Sequence, residues 1–229
     1  MENGQEMIKI IYEDNHLLVV EKPVNIPIQE DESKDMDLLT LLKDDLKKRY
    51  DKPGNVYLGL VHRLDRPVGG VVVFAKTSKA ASRLSEQVRT HKFKKIYHAV
   101  ICNGTFKQEG TLTDYLVKDE KRNMVQVTKE SNPKAKKAIL HYQILSQKQD
   151  LSYVEIQLET GRSHQIRVQF SSRNAPLWGD QRYNPKAKEH AQIALWATSL
   201  TIIHPVTKEE MTFVDNPPKV FPWTILEEV

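Results

Sequence analysis

The stretch His62-Arg63-Leu64-Asp65-Arg66-Pro67-Val68-Gly69-Gly70 lies between two apolar, β-branched runs at 58–61 and 71–75, and its reading decides the fold. Runs of that kind around a polar segment ending in glycine read as two strands joined by a loop. Strand-borne loops are where reactive side chains gather. Asp65 stands there between Arg63 and Arg66, where a guanidinium within reach keeps a carboxylate ionised. A structural ion pair produces the same pattern, so the rest of the chain must decide between the two readings.

Upstream of the loop, alternating apolar residues at 8–12 and 17–20, separated by Glu13-Asp14-Asn15, read as two strands and a tight turn. Lys22-Pro23 ends the second strand. From Asp37, residues Leu38, Leu39, Leu42 and Leu46 recur at helical spacing. Lys47-Lys48-Arg49 sits favourably near the negative end of that helix dipole, and Asp51-Lys52-Pro53-Gly54 stops the helix. Downstream, Ser78 is placed to cap a second helix running to Arg89, with Ala80, Ala81, Leu84 and Val88 facing the core. Strand signals follow at 93–101, 111–117, 124–128, 137–146 and 151–159, then a short helix at 164–172 and strands at 193–203 and 211–214. The pattern predicts an α+β chain with a large mixed, mostly antiparallel sheet flanked by helices.

A length of 229 residues with 39% hydrophobic side chains predicts one compact domain, with its core at 8–217. Cys102 is the only cysteine, so no intrachain disulfide forms. No apolar run approaches the roughly 18 residues needed to span a bilayer, and Met1 to Met7 is too polar for a signal peptide. A cytoplasmic protein without membrane association is the expectation.

Charge is divided unevenly along the chain. Residues 1–57 carry 8 basic and 13 acidic side chains, whereas 76–107 carry 8 basic against Glu86 alone and 160–188 carry 6 against Asp180 alone. The two basic segments suit a polyanionic partner whose phosphates must be neutralised, although a solvated lysine-rich face explains either one separately.

Both basic segments hold candidate chemistry. In Lys94-Lys95-Ile96-Tyr97-His98-Ala99, Tyr97 lies on a strand flanked by Lys92, Lys94 and Lys95, where a ring could stack on a flipped base. In Thr160-Gly161-Arg162-Ser163-His164-Gln165-Ile166-Arg167, the pair Arg162 and Arg167 brackets His164 and could contact Asp65 or phosphate oxygens. Ordinary sheet packing and an amphipathic surface helix are the plainer readings of the same residues.

Taken together, these segments resemble the RluA-type RNA pseudouridine synthases. That family is marked by His-Arg-Leu-Asp, a Lys-x-Tyr-x-Ala strand and Thr-Gly-Arg-x-His-Gln-Ile/Leu-Arg, all present here in the family's order. The resemblance runs from Lys22-Pro23 to His204-Pro205. It implies a catalytic domain with a central active-site cleft, with Asp65 as the essential nucleophile or base and Tyr97 stacked on the target uracil. Arg167 would pair with Asp65, and Arg63 would fill the gap left when the uridine swings out. His62, Arg66, Lys92, Lys94, Lys95, Arg162 and His164 would touch RNA. The partner would be ribosomal (23S) or transfer RNA, with no cofactor, no metal and no obligate protein partner, and the working form would be a monomer.

Departures from the family pattern are local. Where the family reads x-x-Thr-Ser-Gly after the aspartate, this chain reads Arg66-Pro67-Val68-Gly69-Gly70, losing two hydroxyls that could support the loop. Asn25 replaces the usual glycine after Lys22-Pro23, a change tolerated in left-handed backbone, and Trp196 stands where many members have histidine. Strand signals beginning by Ile8 leave no room for a preceding S4 RNA-binding domain, so substrate choice falls to the catalytic domain. Lys134, Lys136 and Lys137, on the loop before 137–146, are further RNA candidates.

Two other classes compete. A catalytically inactive RNA-binding protein of the same fold would bind RNA without needing Asp65, Tyr97 and Arg167 together. A hydrolytic glycosidase or metal-dependent nuclease would need paired carboxylates or an acidic metal cluster. The obvious acidic runs, Glu30-Asp31-Glu32 and Asp44-Asp45, read as solvated.

Overall fold

The computed structural model describes residues 8–102 and 106–226; the polar stretch Met1 to Met7 lies outside them. Its elements in chain order are β1 (Ile10–Glu13), β2 (Leu17–Lys22), α1 (Leu38–Arg49), β3 (Gly59–Leu60), β4 (Gly69–Ala75), α2 (Ser78–Arg89), β5 (Lys94–Cys102), β6 (Glu109–Asp119), β7 (Met124–Thr128), β8 (Lys136–Lys148), β9 (Leu151–Leu158), α3 (Gln165–Ser171), β10 (Leu195–Ile203) and β11 (Glu210–Val214). A short 3-10 turn, Trp223–Leu226, follows. The α+β expectation holds, and the strand and helix bounds fall within a few residues of those predicted. Among the described residues no helix is long and apolar enough to cross a membrane.

The chain divides into two compact units. The first comprises residues up to Phe93 together with Ser199–Asp215; the second comprises Lys94–Thr198 and the segment from Asn216 onward. In the first, β2 pairs antiparallel with β1 and with β4, β3 pairs with β4, and β11 pairs with β10. Every residue of β4 is buried, as its unbroken apolar run Val71-Val72-Val73-Phe74-Ala75 requires of a strand covered on both faces. Leu17, Val19, Val71 and Val73 form one core with Ala80 and Leu84 of α2 and, from the late segment, Leu200, Ile202 and Phe213.

Both long helices begin on a side-chain cap. Asp37 accepts from the backbone N–H of Thr40 at 3.0 Å and turns Leu38, Leu42 and Leu46 inward. For α2 the cap is Thr77 rather than Ser78. Thr77 is extended (φ −136°, ψ 151°) and accepts from Ala80 N–H, whereas Ser78 already lies within the helix. Gln87 of α2 is buried and its amide bonds both backbone groups of Ile203, donating to the carbonyl at 2.7 Å and accepting from the N–H at 2.9 Å.

In the second unit the strand order is β5-β9-β8-β6-β7, every neighbour antiparallel. Lys136 and Lys137, expected on a loop, open β8 and pair with Leu116 and Tyr115.

Gln87→Leu keeps the volume of the side chain but strips both bonds from Ile203, leaving a buried N–H and carbonyl unpaired. The expected loss is about 2 kcal/mol, read as a lower urea midpoint at unchanged slope.

Candidate active site

The loop after β3 alternates inward and outward. His62 is buried and accepts the backbone N–H of Val73 on its Nε2 at 3.1 Å, with its ring edge-on to Phe93 at 5.7 Å. Arg63 is exposed, Leu64 is buried, and Asp65 is half-buried. His62 thus fixes the loop to β4. The Asp65 carbonyl accepts from Val68 N–H at 2.9 Å and closes a turn over Arg66-Pro67. Gly70, at φ 116°, occupies backbone that side chains rarely adopt, and Asn25, at φ 64°, is left-handed as expected for the residue replacing the family's glycine.

Lys22 supplies the support that the missing hydroxyls leave open. Its side chain is wholly buried and Nζ donates to the carbonyls of Pro23, Arg66 and Val68 at 2.9, 2.9 and 2.8 Å. Three bonds use all three ammonium protons, so the charged form makes the full set and the neutral amine at most two of the three. Burial pulls this lysine down from 10.5 to about 7, and the negative charge of Asp65 opposes that pull. By sequence alone Lys22 reads as the end of a strand and the start of the family resemblance, not as a buried donor. Its signal was a lysine closing the apolar run Leu17-Leu18-Val19-Val20, the last place hydropathy expects a buried charge.

In the second unit, the Thr-Gly-Arg-x-His-Gln segment is a backbone clamp. Gln165 is buried; its Oε1 accepts from the Thr160 hydroxyl at 2.8 Å and Arg162 N–H at 3.0 Å, and its Nε2 donates to the Ile139 carbonyl at 3.0 Å. Thr160 accepts from Ile139 N–H at 2.8 Å, so both backbone groups of one β8 residue are held. Arg162 is exposed and its Nε donates to the Lys137 carbonyl at 2.9 Å. His164 enters α3 in the left-handed conformation at φ 52°, with Nδ1 2.7 Å from the Tyr183 hydroxyl.

Arg167 is buried in α3 and forms a two-pronged pair with Asp180, Nε to Oδ2 at 2.9 Å and the other prong to Oδ1 at 2.8 Å. The Asp180 side chain is 0% exposed and also accepts from the backbone of Arg182 and Tyr183. The Arg167 guanidinium carbon stands 5.1 Å from the centre of the Tyr183 ring. Burial raises Tyr183, so its hydroxyl keeps its proton while accepting from Val125 N–H at 2.8 Å. Asp180 and Tyr183 therefore orient both Arg167 and His164, and neither was recognised from sequence. Their signal was the lone acid of the basic segment 160–188, set beside Gly179; at that glycine φ is 69° and an added Cβ would lie 2.2 Å from the Gln192 carbonyl oxygen.

The remaining candidates are spread along β5 and the turn before it. Tyr97 is buried and pairs with Ile156 of β9. Lys95 is half-buried by surface area, and burial lowers it to about 8. Lys92 and Lys94 are exposed, while Arg66 turns toward an acidic segment, Asp35 foremost. Among the described residues, no trio of His, Cys, Asp and Glu is grouped to hold a metal ion.

Replacing Lys22 with Met leaves three carbonyls without this donor and should cost on the order of 3 kcal/mol. The pH dependence has a definite sign. From pH about 7 up to 10.5 the unfolded chain retains a proton that folded Lys22 has released, so wild type gains stability over that window relative to Lys22→Met. Urea titrations of both proteins across this range check it; a difference that stays flat rules it out. Asp180→Asn removes a charged partner from buried Arg167 and should lower stability by roughly 3 kcal/mol. Unfolding midpoints at neutral pH measure this loss.

Comparison with known proteins agrees with this geometry. Residues 16–172 match the family described as RNA pseudouridylate synthase. The chain is 31% identical to ribosomal large subunit pseudouridine synthase D of Zymomonas mobilis, covering 90% of this chain and 68% of that protein. It is 30% identical to tRNA pseudouridine synthase C of Yersinia pestis, covering 90% and 85%. The fold matches the solved human RNA pseudouridylate synthase domain containing 4, with a TM-score of 0.80 and 24% identity over 95% of this chain and 92% of that one. With the family's match spanning the loop of Asp65, the strand of Tyr97 and the helix of Arg167, the chain belongs to the RNA pseudouridylate synthase family.

Proposed function

We propose that this protein isomerises one uridine of a structured RNA to pseudouridine, with Asp65 as the essential carboxylate. The observation that carries the reading is the Asp65 loop itself: a half-buried aspartate on a segment held by a buried lysine, inside the region that matches the family. In the reaction the N1–C1′ bond breaks, the uracil turns, and C5 bonds to C1′ while the C5 proton is exchanged for one on N1. An ionised Asp65 serves either opening step, attack at C1′ or removal of the C2′ proton.

Tyr97 is assigned to stacking on the uracil and Arg167 to keeping Asp65 charged; an opposite charge at about 4 Å contributes on the order of 4 kcal/mol at an effective dielectric near 20, before desolvation. The Asp180 pair holds the Arg167 guanidinium in one orientation. Arg63, exposed beside Asp65, is assigned to the space vacated by the flipped nucleotide. Lys92, Lys94, Lys95 and Arg162 contribute backbone neutralisation. The two units act as one catalytic domain, as a monomer in the cytoplasm.

Ribosomal RNA is the first substrate to test, following the Zymomonas relative, and transfer RNA the second, following the Yersinia one. Pseudouridine is mapped by carbodiimide adduct and primer extension in total RNA from cells lacking the gene, complemented with wild type or Asp65→Ala. A site lost on deletion and restored by wild type alone is the expected result; restoration by the Ala variant refutes the role of Asp65. Tyr97→Phe retains the ring and should keep RNA affinity. Unchanged turnover in that variant excludes proton handling by the hydroxyl.

A further inference from the structure

Arg66 directly follows Asp65, and both ends of the residue are held. Its carbonyl is one of the three bound by Lys22. Its guanidinium, on a side chain 42% exposed, is occupied by one short stretch of chain. Nε donates to the Asn25 carbonyl at 3.1 Å, one terminal nitrogen donates to the Ser33 hydroxyl at 3.0 Å and lies 3.8 Å from Asp31, and the other donates to Asp35. The stretch is a preformed turn. Asp31 Oδ1 accepts from the N–H and hydroxyl of Ser33 at 2.9 and 2.6 Å, and Ser33 Oγ accepts from Asp35 N–H at 3.2 Å. Two carboxylates and a hydroxyl thus present their oxygens to one guanidinium fork, as a phosphodiester does.

Charge makes this arrangement informative. Glu30, Asp31, Glu32 and Asp35 lie on an exposed segment, an unfavourable neighbour for a polyanion. Glu30 and Glu32 make no ion pair among the described residues, so only Asp31 and Asp35 engage Arg66. Hydrogen bonds from Ser33 hold Asp31 below the usual carboxylate range, and the bond from Arg66 does the same for Asp35. Exposed ion pairs are weak and screened by salt, so an RNA bringing several phosphates at once can exchange with them.

We propose that Arg66, already expected to touch RNA, does so through a phosphate, and that the Asp31–Asp35 turn is its internal stand-in ligand, displaced when RNA binds. The inference rests on the RNA reading above and adds a consequence to it. RNA that cannot place a phosphate at Arg66 meets the acidic turn unrelieved, so the turn discriminates against loosely bound, sequence-independent RNA.

The test is fluorescence anisotropy at low salt with a fluorescein-labelled RNA stem-loop carrying uridines in its loop. Asp31→Asn with Asp35→Asn preserves the turn, because asparagine makes the same local bonds, and should tighten Kd roughly fivefold. Glu30→Gln with Glu32→Gln removes the same charge without touching Arg66 and should change Kd by less than about twofold. In an Arg66→Gln background the gain from the asparagine pair should vanish. Equal tightening by both acidic pairs means bulk repulsion and overturns the inference, as does an asparagine pair that leaves Kd unchanged. Wild type that binds no RNA strikes down the RNA reading and the inference with it, whereas wild type that binds and modifies RNA with no effect of Asp31 and Asp35 strikes down the inference alone.

Discussion

A buried carbonyl without a donor is costly, and the single ammonium of Lys22 meets three carbonyls, that of Pro23 just after β2 and those of Arg66 and Val68 in the loop around Asp65. That bond set ties the end of β2 to the turn that follows the aspartate. Where Lys22 is protonated, it also places a positive charge beneath a segment whose function requires a negative one. Gly70 and His62 complete the arrangement, one by admitting unusual backbone and the other by accepting a strand N–H. The loss of two hydroxyls after the aspartate is therefore tolerable, because the loop hangs from its backbone rather than from its own side chains.

The second unit solves a related problem by different chemistry. There the family segment around residues 160–167 works as two devices in series. Thr160 and Gln165 clamp both backbone groups of Ile139 in β8, and the clamp sets the start of α3. Two residues after Gln165, Arg167 meets Asp180 in a buried two-pronged pair, with the Tyr183 ring against its face. An arginine rather than a lysine suits this place, since only the planar fork bonds a carboxylate twice while lying on a ring. A lysine would keep the charge and lose the direction.

Much of this was legible in the sequence where local rules act alone. The alternation in 17–20, the leucine spacing in α1 and the apolar run of β4 led to correct elements because burial on one or two faces leaves a periodic trace. Asp65, Tyr97 and Arg167 were legible as candidates through their motifs. What escaped were partners distant along the chain. Asp180 lies 13 residues from Arg167, and Asp35 lies 31 residues from Arg66, with no periodicity linking either pair. Lys22 escaped for another reason: hydropathy assigns lysine to solvent, and only the tertiary placement of three carbonyls overrides that rule. The shift of the α2 cap from Ser78 to Thr77 is a one-residue ambiguity between two hydroxyl residues that only backbone angles resolve.

The division of the chain bears on how the protein is made. The core of the first unit includes Leu200, Ile202 and Phe213, contributed after the whole of Lys94–Thr198 has been synthesised. A chain emerging from its N-terminus therefore exposes Leu17, Val19, Val71 and Val73 without three of the side chains that cover them, while the strands β5 to β9 follow one another and pair within a single continuous stretch. Order of synthesis and order of completion are thus reversed, and the core that packs against β4, the strand after the Asp65 loop, is complete only once Leu200, Ile202 and Phe213 have joined it.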